Sequence, residues 1–133
     1  MSKLKCIVIE DEPLAVKVLV GYIENVPFLE LAGSFKNALL AADFLHEQSV
    51  DLLFLDIHLP KLRGLDFLKT LAQPPAVIVT TAYHQYAVEG FELNLTDYLL
   101  KPFSFERFLA AVQKVKKEEK TDPLPPVERD YIF

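Results

Sequence analysis

The sequence predicts an α/β fold in which a doubly wound, five-stranded parallel sheet carries helices on both faces. Short apolar runs of strand length recur at Cys6 to Ile9, Leu29 to Phe35, Leu52 to Leu55, Ala76 to Val79 and Tyr98 to Leu100. Their nearly continuous apolar character is typical of parallel strands that are covered on both faces. Segments of helical period separate the runs, and this alternation favours strands joined by right-handed crossovers.

Three of the intervening segments have a clear helical pattern. The first begins at Pro13, which is tolerated in the first turn of a helix. The second lies around residues 40–45 and is predicted to bury Leu40. The third follows Ser104, a residue type that favours the N-cap position. The other residues predicted to face the core are Val16, Leu19, Val20, Ile23, Ala41, Phe44, Leu45, Phe105, Phe108, Leu109, Val112 and Val115.

Length and composition indicate one globular domain with a tail. The 133 residues are 51% apolar and 25% charged, close to the average of soluble proteins. The net charge of -5 gives no reason to expect DNA binding by this part of the protein. Its single cysteine, Cys6, lies in an apolar run and cannot form an internal disulfide, which favours a reducing cytoplasm. Neither a signal peptide nor a membrane span is predicted.

The domain is predicted to occupy residues 1–120. Residues 121–129 are rich in proline, cannot continue a helix and read as a semi-rigid linker. The chain then runs through residues 130–133, Asp-Tyr-Ile-Phe, which resemble the beginning of a new strand or else the end of a disordered tail.

Acidic side chains fall at the carboxyl ends of two predicted strands. Glu10 and Asp11 follow the first run, and Asp56 follows the third. In the predicted fold these residues converge, and clustered carboxylates raise one another's pKa unless a cation neutralises them. Oxygen ligands of this kind suit Mg²⁺. Taken singly, each residue could instead be a helix N-cap or part of a solvated acidic turn.

The ends of the fourth and fifth strands bring three further polar residues to the same edge: Thr80, Thr81 and Lys101. Hydroxyl groups and an ammonium beside an acidic metal site suit a phosphoryl group, whose oxygens need hydrogen-bond donors and positive charge. The set as a whole therefore favours a phosphoryl site over unrelated turn residues.

Four motifs now point to a family. They are Ile9-Glu10-Asp11-Glu12-Pro13, Phe54-Leu55-Asp56-Ile57-His58-Leu59-Pro60 with Gly64, Thr81-Ala82, and Asp97-Tyr98-Leu99-Leu100-Lys101-Pro102-Phe103. In this order and at these separations they resemble the response-regulator receiver family, and the resemblance covers residues 3 to about 118. One departure is Glu10, which stands where aspartate is common in the family.

The resemblance implies the chemistry of the site. Asp56 resembles the phospho-acceptor, and Glu10 and Asp11 resemble the acidic pair that binds Mg²⁺ together with Asp56. His58 resembles the residue whose backbone carbonyl is a further metal ligand. Lys101 resembles the lysine that contacts the phosphoryl group, and its bond to Pro102 is expected to be cis.

The resemblance also implies how the site signals. Thr81 resembles the hydroxyl that turns toward the phosphoryl group, and Tyr98 resembles the aromatic switch residue, although it could be simply an inward-facing aromatic. The expected partners are a sensor histidine kinase and, after phosphorylation, a second copy of the chain. Such a domain assists its own phosphorylation and dephosphorylation, and no separate substrate turnover is expected.

Within the family, two segments resemble regulators that carry a LytTR DNA-binding domain: Asp11-Glu12-Pro13-Leu14-Ala15 and Tyr86-Ala87-Val88-Glu89-Gly90-Phe91-Glu92. Residues 130–133 resemble the start of that domain's first strand. On this interpretation the protein controls transcription, the chain stops before most of the LytTR domain, and DNA is bound only through the missing part.

Other classes of protein fit the sequence less well. A zinc site at His58 would need a second His or Cys at metal-site spacing, and His46 and His84 lie on other segments. A phosphatase with an aspartate nucleophile would have a second aspartate where His58 stands. A nucleotide-binding domain would have a glycine-rich turn after the first strand, which here is acidic. A receiver that is never phosphorylated and only binds a partner remains open as the alternative.

Overall fold

The computed structural model describes residues 3–59, 61–82 and 95–120, with side chains up to residue 116. Its strands are β1 (Leu4–Ile9), β2 (Leu29–Phe35), β3 (Leu52–Asp56), β4 (Ala76–Thr81) and β5 (Asp97–Leu100). Its helices are α1 (Pro13–Glu24), α2 (Ala38–Glu47), α3 (Gly64–Leu68) and α4 (Phe105–Lys120). Each predicted apolar run therefore lies within a strand.

The strands form one parallel sheet in the order β2-β1-β3-β4-β5. Every neighbouring pair is parallel, and the register between β3 and β4 places Asp56 beside Thr80. Since β2 lies to one side of β1 and β3 to the other, the sheet is wound in both directions from β1. The carboxyl ends of β1 and β3 meet at this switch point, where ligands of such folds bind.

Both faces of the sheet are covered, because successive residues of each strand point to opposite sides. Cys6 and Val8 lie in a cluster with residues of α1 and α4. Ile7 and Ile9 lie in a second cluster with residues of α2 and α3. The predicted fold class, a doubly wound parallel sheet with helices on both faces, is confirmed.

The helix boundaries follow from local chemistry. Helix α1 begins at Pro13, as predicted. The Asn37 side chain caps α2 by accepting a hydrogen bond from the backbone N–H of Leu40, at 3.0 Å. The predicted cap of the last helix is confirmed, because the Ser104 hydroxyl oxygen accepts from the backbone N–H of Arg107 at 3.1 Å.

The prediction that Leu40 is buried is wrong. Leu40 is 53% exposed, while Ala38 and Ala41 are fully buried. Ala38 and Ala41 share a helix face and lie in the buried cluster, with Phe44 and Leu45 packed against it. Leu40 lies outside that face of α2, because its position is more than half a turn from Ala38.

Cys6 is buried in β1, and burial raises the pKa of its thiol to about 12 with smaller contributions from Glu30 and Asp51. Among the described helices, none has the length and apolar character that a membrane crossing needs. Several predictions lie outside the described residues: those on Pro60, His84, the segment 86–92, the linker 121–129 and residues 130–133.

Candidate functional site

The polar residues predicted at the strand ends lie at one edge of the sheet. Glu10 directly follows β1, Asp56 ends β3, Thr81 ends β4 and Lys101 directly follows β5. Backbone hydrogen bonds hold these strand ends in the sheet: the Lys101 N–H donates to the Thr81 carbonyl oxygen at 2.7 Å, and the Glu10 N–H donates to the Phe35 carbonyl oxygen at 2.9 Å. The parallel sheet therefore fixes the spacing of side chains that are up to 91 residues apart in the sequence.

Three carboxylates form the centre of this site. Carboxylate oxygens of Glu10, Asp11 and Asp56 all lie within 4.8 Å of one another. Glu10 and Asp56 are buried, with 1% and 5% exposure, whereas Asp11 is exposed. An all-oxygen donor set that opens to solvent on one side fits Mg²⁺, which prefers a few carboxylates and keeps several waters. No histidine or cysteine belongs to a potential metal-binding group in the described residues.

Lys101 supplies the positive charge beside the two buried carboxylates. Its Nζ lies 2.8 Å from Glu10 Oε1 and 3.4 Å from Asp56 Oδ2. Burial lowers the pKa of Lys101, but hydrogen bonds and charges from Glu10 and Asp56 outweigh it, so the pKa is raised and the group stays cationic. One ammonium against three carboxylates leaves the ionised site negative, so a further cation would be attracted.

Glu10 is the carboxylate most affected by this environment. Burial raises its pKa to about 7; the Lys101 hydrogen bond opposes that shift, and Asp56 reinforces it. Its Oε2 accepts a hydrogen bond from the backbone N–H of Glu12 at 3.2 Å, so both oxygens have partners. Glu10 is thus held in place by its hydrogen bonds. Its negative charge is nevertheless unfavourable in this buried position unless a cation is bound nearby.

The raised pKa of Glu10 predicts that the cation-free protein loses stability as pH rises from about 4.5 to about 7. In this window the folded carboxyl keeps a proton that the unfolded chain, with an ordinary pKa of 4.5, has released. Folding then takes up a proton, so rising pH opposes it, and the effect levels off above pH 7. Urea unfolding at about pH 5 and about pH 8, in chelator, measures this loss. Glu10→Gln should reduce it, and an unchanged pH dependence would contradict the assignment.

The orientation of Asp56 depends on the turn that follows β3. Its Oδ1 accepts a hydrogen bond from the backbone N–H of His58 at 3.0 Å. The Gly64 N–H donates to the carbonyl oxygen of Ile57 at 3.0 Å, which brings the start of α3 back against the end of β3. One carboxylate oxygen is therefore held by the chain itself, and the other faces Lys101.

The two predicted switch residues lie on neighbouring strands. Thr81 is fully buried at the end of β4. Tyr98 is partly buried near the start of β5 and packs against the cluster on the side of α2 and α3. The peptide bond between Lys101 and Pro102 is cis, as the family resemblance implied.

Asp97 is a part of this region to which the sequence assigned no role. Its carboxylate accepts two hydrogen bonds from Arg107, both at 2.9 Å, and lies 3.0 Å from the ammonium of Lys114. Burial raises the pKa of Asp97, but the partners in α4 outweigh it and lower the pKa to about 2. Arg107 also donates to the Tyr98 carbonyl oxygen at 3.2 Å. The start of β5 is therefore bound firmly to α4.

Comparison with known proteins agrees with this geometry. Residues 6–113 match the family model described as the response regulator receiver domain. The chain belongs to this family. The receiver domain aligns with the transcriptional regulatory protein LytR of Staphylococcus aureus strain N315 at 36% identity over 122 residues, covering 90% of this chain and 50% of LytR. It aligns with protein MrkE of Klebsiella pneumoniae at 38% identity over 117 residues, covering 86% of this chain and 44% of MrkE.

A solved structure shows the same fold. The crystal structure of the response regulatory domain of MrkE superposes with a TM-score of 0.82 at 35% identity, covering 90% of this chain and all of that one. The chain spans about half the length of the curated relatives it matches. It is therefore a receiver domain of the two-component type with LytR-like relatives, which disfavours the phosphatase and nucleotide-binding interpretations.

Proposed function

We propose that this receiver accepts a phosphoryl group on Asp56 from a phosphohistidine of a sensor kinase, in a reaction that depends on Mg²⁺. The observation that carries the proposal is the position of Asp56: it is buried beside two other carboxylates, and the Lys101 ammonium lies between it and Glu10. A buried acidic group with one compensating lysine has the charge and the oxygen ligands that phosphoryl transfer needs.

In the transfer, an oxygen of Asp56 forms a bond to phosphorus as the bond from phosphorus to the histidine nitrogen breaks. The product is an acyl phosphate, and its hydrolysis returns the carboxylate. A bound Mg²⁺ would supply charge neutralisation of the phosphoryl oxygens and would be held by Glu10, Asp11, Asp56 and the His58 carbonyl. Lys101 binds a phosphoryl oxygen, and the His58 N–H orients the attacking carboxylate. The domain acts on itself, so no separate substrate turnover follows.

A protein partner is favoured by the surface next to the site. An apolar hollow of about 290 Å³ lies beside Glu10 and Lys101, with Val18, Tyr22 and Phe103 among its lining residues. At its rim Leu14 is 73% exposed. Exposed apolar patches of this kind commonly mark protein contacts. A kinase docking here would bring its phosphohistidine to the carboxylates.

The output of the domain is proposed to follow from local rearrangement. Thr81 turns toward the phosphoryl oxygens and Tyr98 moves inward, which biases the surface around β5 and favours a homodimer. The relative LytR is named a transcriptional regulatory protein, which supports a role in transcription. The proposed output is a LytTR DNA-binding domain outside this chain, and the proposed location is the cytoplasm. The second candidate, a receiver that binds partners without being phosphorylated, uses the same surface.

The test is a mass measurement on the purified protein incubated with a small-molecule phosphodonor. We expect a gain of one phosphoryl group in Mg²⁺ and none in chelator, and the modification should be removed by hydroxylamine, which cleaves acyl phosphates. No gain in Mg²⁺, or the same gain in chelator, would contradict the proposed function and favour the partner-binding receiver.

A further inference from the structure

One polar atom in the core has no explanation so far. The hydroxyl oxygen of Thr80 is the buried side-chain N or O atom that lacks a hydrogen-bond partner in the described part of the chain. Thr80 is 1% exposed, so solvent does not satisfy the group. Buried polar groups in native proteins are almost always hydrogen-bonded, and exceptions concentrate at functional sites. Valine would fill the same space without an unpaired hydroxyl.

The position of Thr80 connects it to the phosphoryl site. It pairs with Asp56 on β3 and with Leu99 on β5, so it lies between them in the sheet. Paired residues of a parallel sheet point to the same side and lie about 4.8 Å apart. Lys101 is two residues beyond Leu99 and therefore points to the same face. The unpartnered Thr80 hydroxyl thus lies on the face of the sheet that carries both Asp56, the proposed phospho-acceptor, and Lys101.

Lys101 has one hydrogen-bond donor more than it uses. Its ammonium carries three N–H groups, and in the described part of the chain it donates to two oxygens, one of Glu10 and one of Asp56. Glu10 and Asp56 both belong to the cluster of three carboxylates that a divalent cation would bind. Once a cation neutralises them, their attraction for the ammonium falls. One N–H of Lys101 then binds the proposed phosphoryl oxygen, and a fixed protein acceptor for another N–H would hold the ammonium in position.

We infer that the Thr80 hydroxyl is this acceptor, so that Thr80 positions the Lys101 ammonium when Mg²⁺ and the phosphoryl group occupy the oxygens of Glu10 and Asp56. The inference rests on the proposed function. Thr80 is a positioning residue, because it acts through Lys101. Thr81 differs from Thr80, because its proposed partner is the phosphoryl group itself.

The experiment compares wild type with Thr80→Val, Thr80→Ser and the control Thr70→Val. Thr70 lies after α3, and its hydroxyl donates to the Phe67 carbonyl oxygen at 2.7 Å, away from the site. The first readout is the rise in melting temperature on adding Mg²⁺, and the second is the rate of phosphoryl gain from a small-molecule donor.

Thr80→Val should raise the melting temperature in chelator, because it removes an unpaired buried hydroxyl. It should also reduce the stabilisation by Mg²⁺ and slow phosphoryl gain by roughly tenfold, the effect of losing one hydrogen bond to a charged group. Thr80→Ser keeps the hydroxyl and should therefore keep the wild-type response to Mg²⁺ and the wild-type rate of phosphoryl gain. Thr70→Val should change neither.

Two results would overturn the inference in distinguishable ways. If Thr80→Val stabilises the protein in chelator but keeps the wild-type response to Mg²⁺ and the wild-type rate, Thr80 is only a core residue and the proposed function stands. If wild type itself neither responds to Mg²⁺ nor gains a phosphoryl group, the proposed function fails and this inference fails with it.

Discussion

Asp56→Asn is expected to abolish phosphoryl gain completely. The substitution keeps the size of the side chain and an oxygen that can accept from the His58 N–H, but the carboxamide lacks the charge and nucleophilicity that attack on phosphorus requires. Intact mass after incubation with phosphodonor and Mg²⁺ measures the result. A gain in Asp56→Asn equal to that of wild type would show that the acceptor lies elsewhere.

The same variant should be more stable than wild type in chelator. Asp56 is one of the groups that raise the pKa of Glu10, so removing its charge relieves repulsion between buried carboxylates. The substitution also removes the attraction between Asp56 and the Lys101 ammonium at 3.4 Å, so the net gain is expected to be only on the order of 1 kcal/mol. Asp66→Asn is the matched control, because it removes an equal charge from a 40% exposed side chain paired with Arg63. It should leave phosphoryl gain intact, which separates the chemistry of Asp56 from an effect of net charge.

The geometry of the carboxylates was predictable from the sequence for a simple reason. In a parallel sheet all strands end at the same edge, so apolar runs followed by Glu10, Asp56 and Lys101 are enough to place these side chains together. The order and spacing of the four motifs then indicated a role for each residue, which the periodicity of apolar residues alone cannot do.

Other features depend on tertiary contacts that leave no local pattern. The pairing of Asp97 with Arg107 joins a strand to a helix, and a charged residue has many possible partners until the packing is known. Leu40 has the apolar character of a core residue, yet the face of α2 that packs on the sheet carries Ala38 and Ala41, and Leu40 lies outside it and is exposed. Helix α3 has five residues, too few to display a helical period. The unpaired hydroxyl of Thr80 likewise depends on its surroundings.

The second large effect is expected from a single methyl group at Gly64. A Cβ built on Gly64 would overlap the carbonyl oxygen of Asp56 and lie 3.1 Å from Leu55 Cγ, so either α3 or the end of β3 must move. Because the obstacle is backbone in a close-packed interior, relaxation is costly, and overpacking of this kind typically costs ~1–3 kcal/mol. Gly64→Ala should therefore lower the free energy of unfolding by that amount.

Gly21→Ala provides the matched comparison, since it adds the same methyl group within α1, where the new Cβ would meet nothing within 4 Å apart from the adjoining backbone of the helix itself. Alanine is favoured over glycine inside a helix, so this variant should gain about 0.5–1 kcal/mol. Urea unfolding of both variants and of wild type measures the two changes in the free energy of unfolding, which should have opposite signs. Gly64→Ala should also slow phosphoryl gain, because the backbone it displaces carries Asp56, whereas Gly21→Ala should not. Equal stabilities for the two variants would mean that α3 does not pack against Asp56 as described.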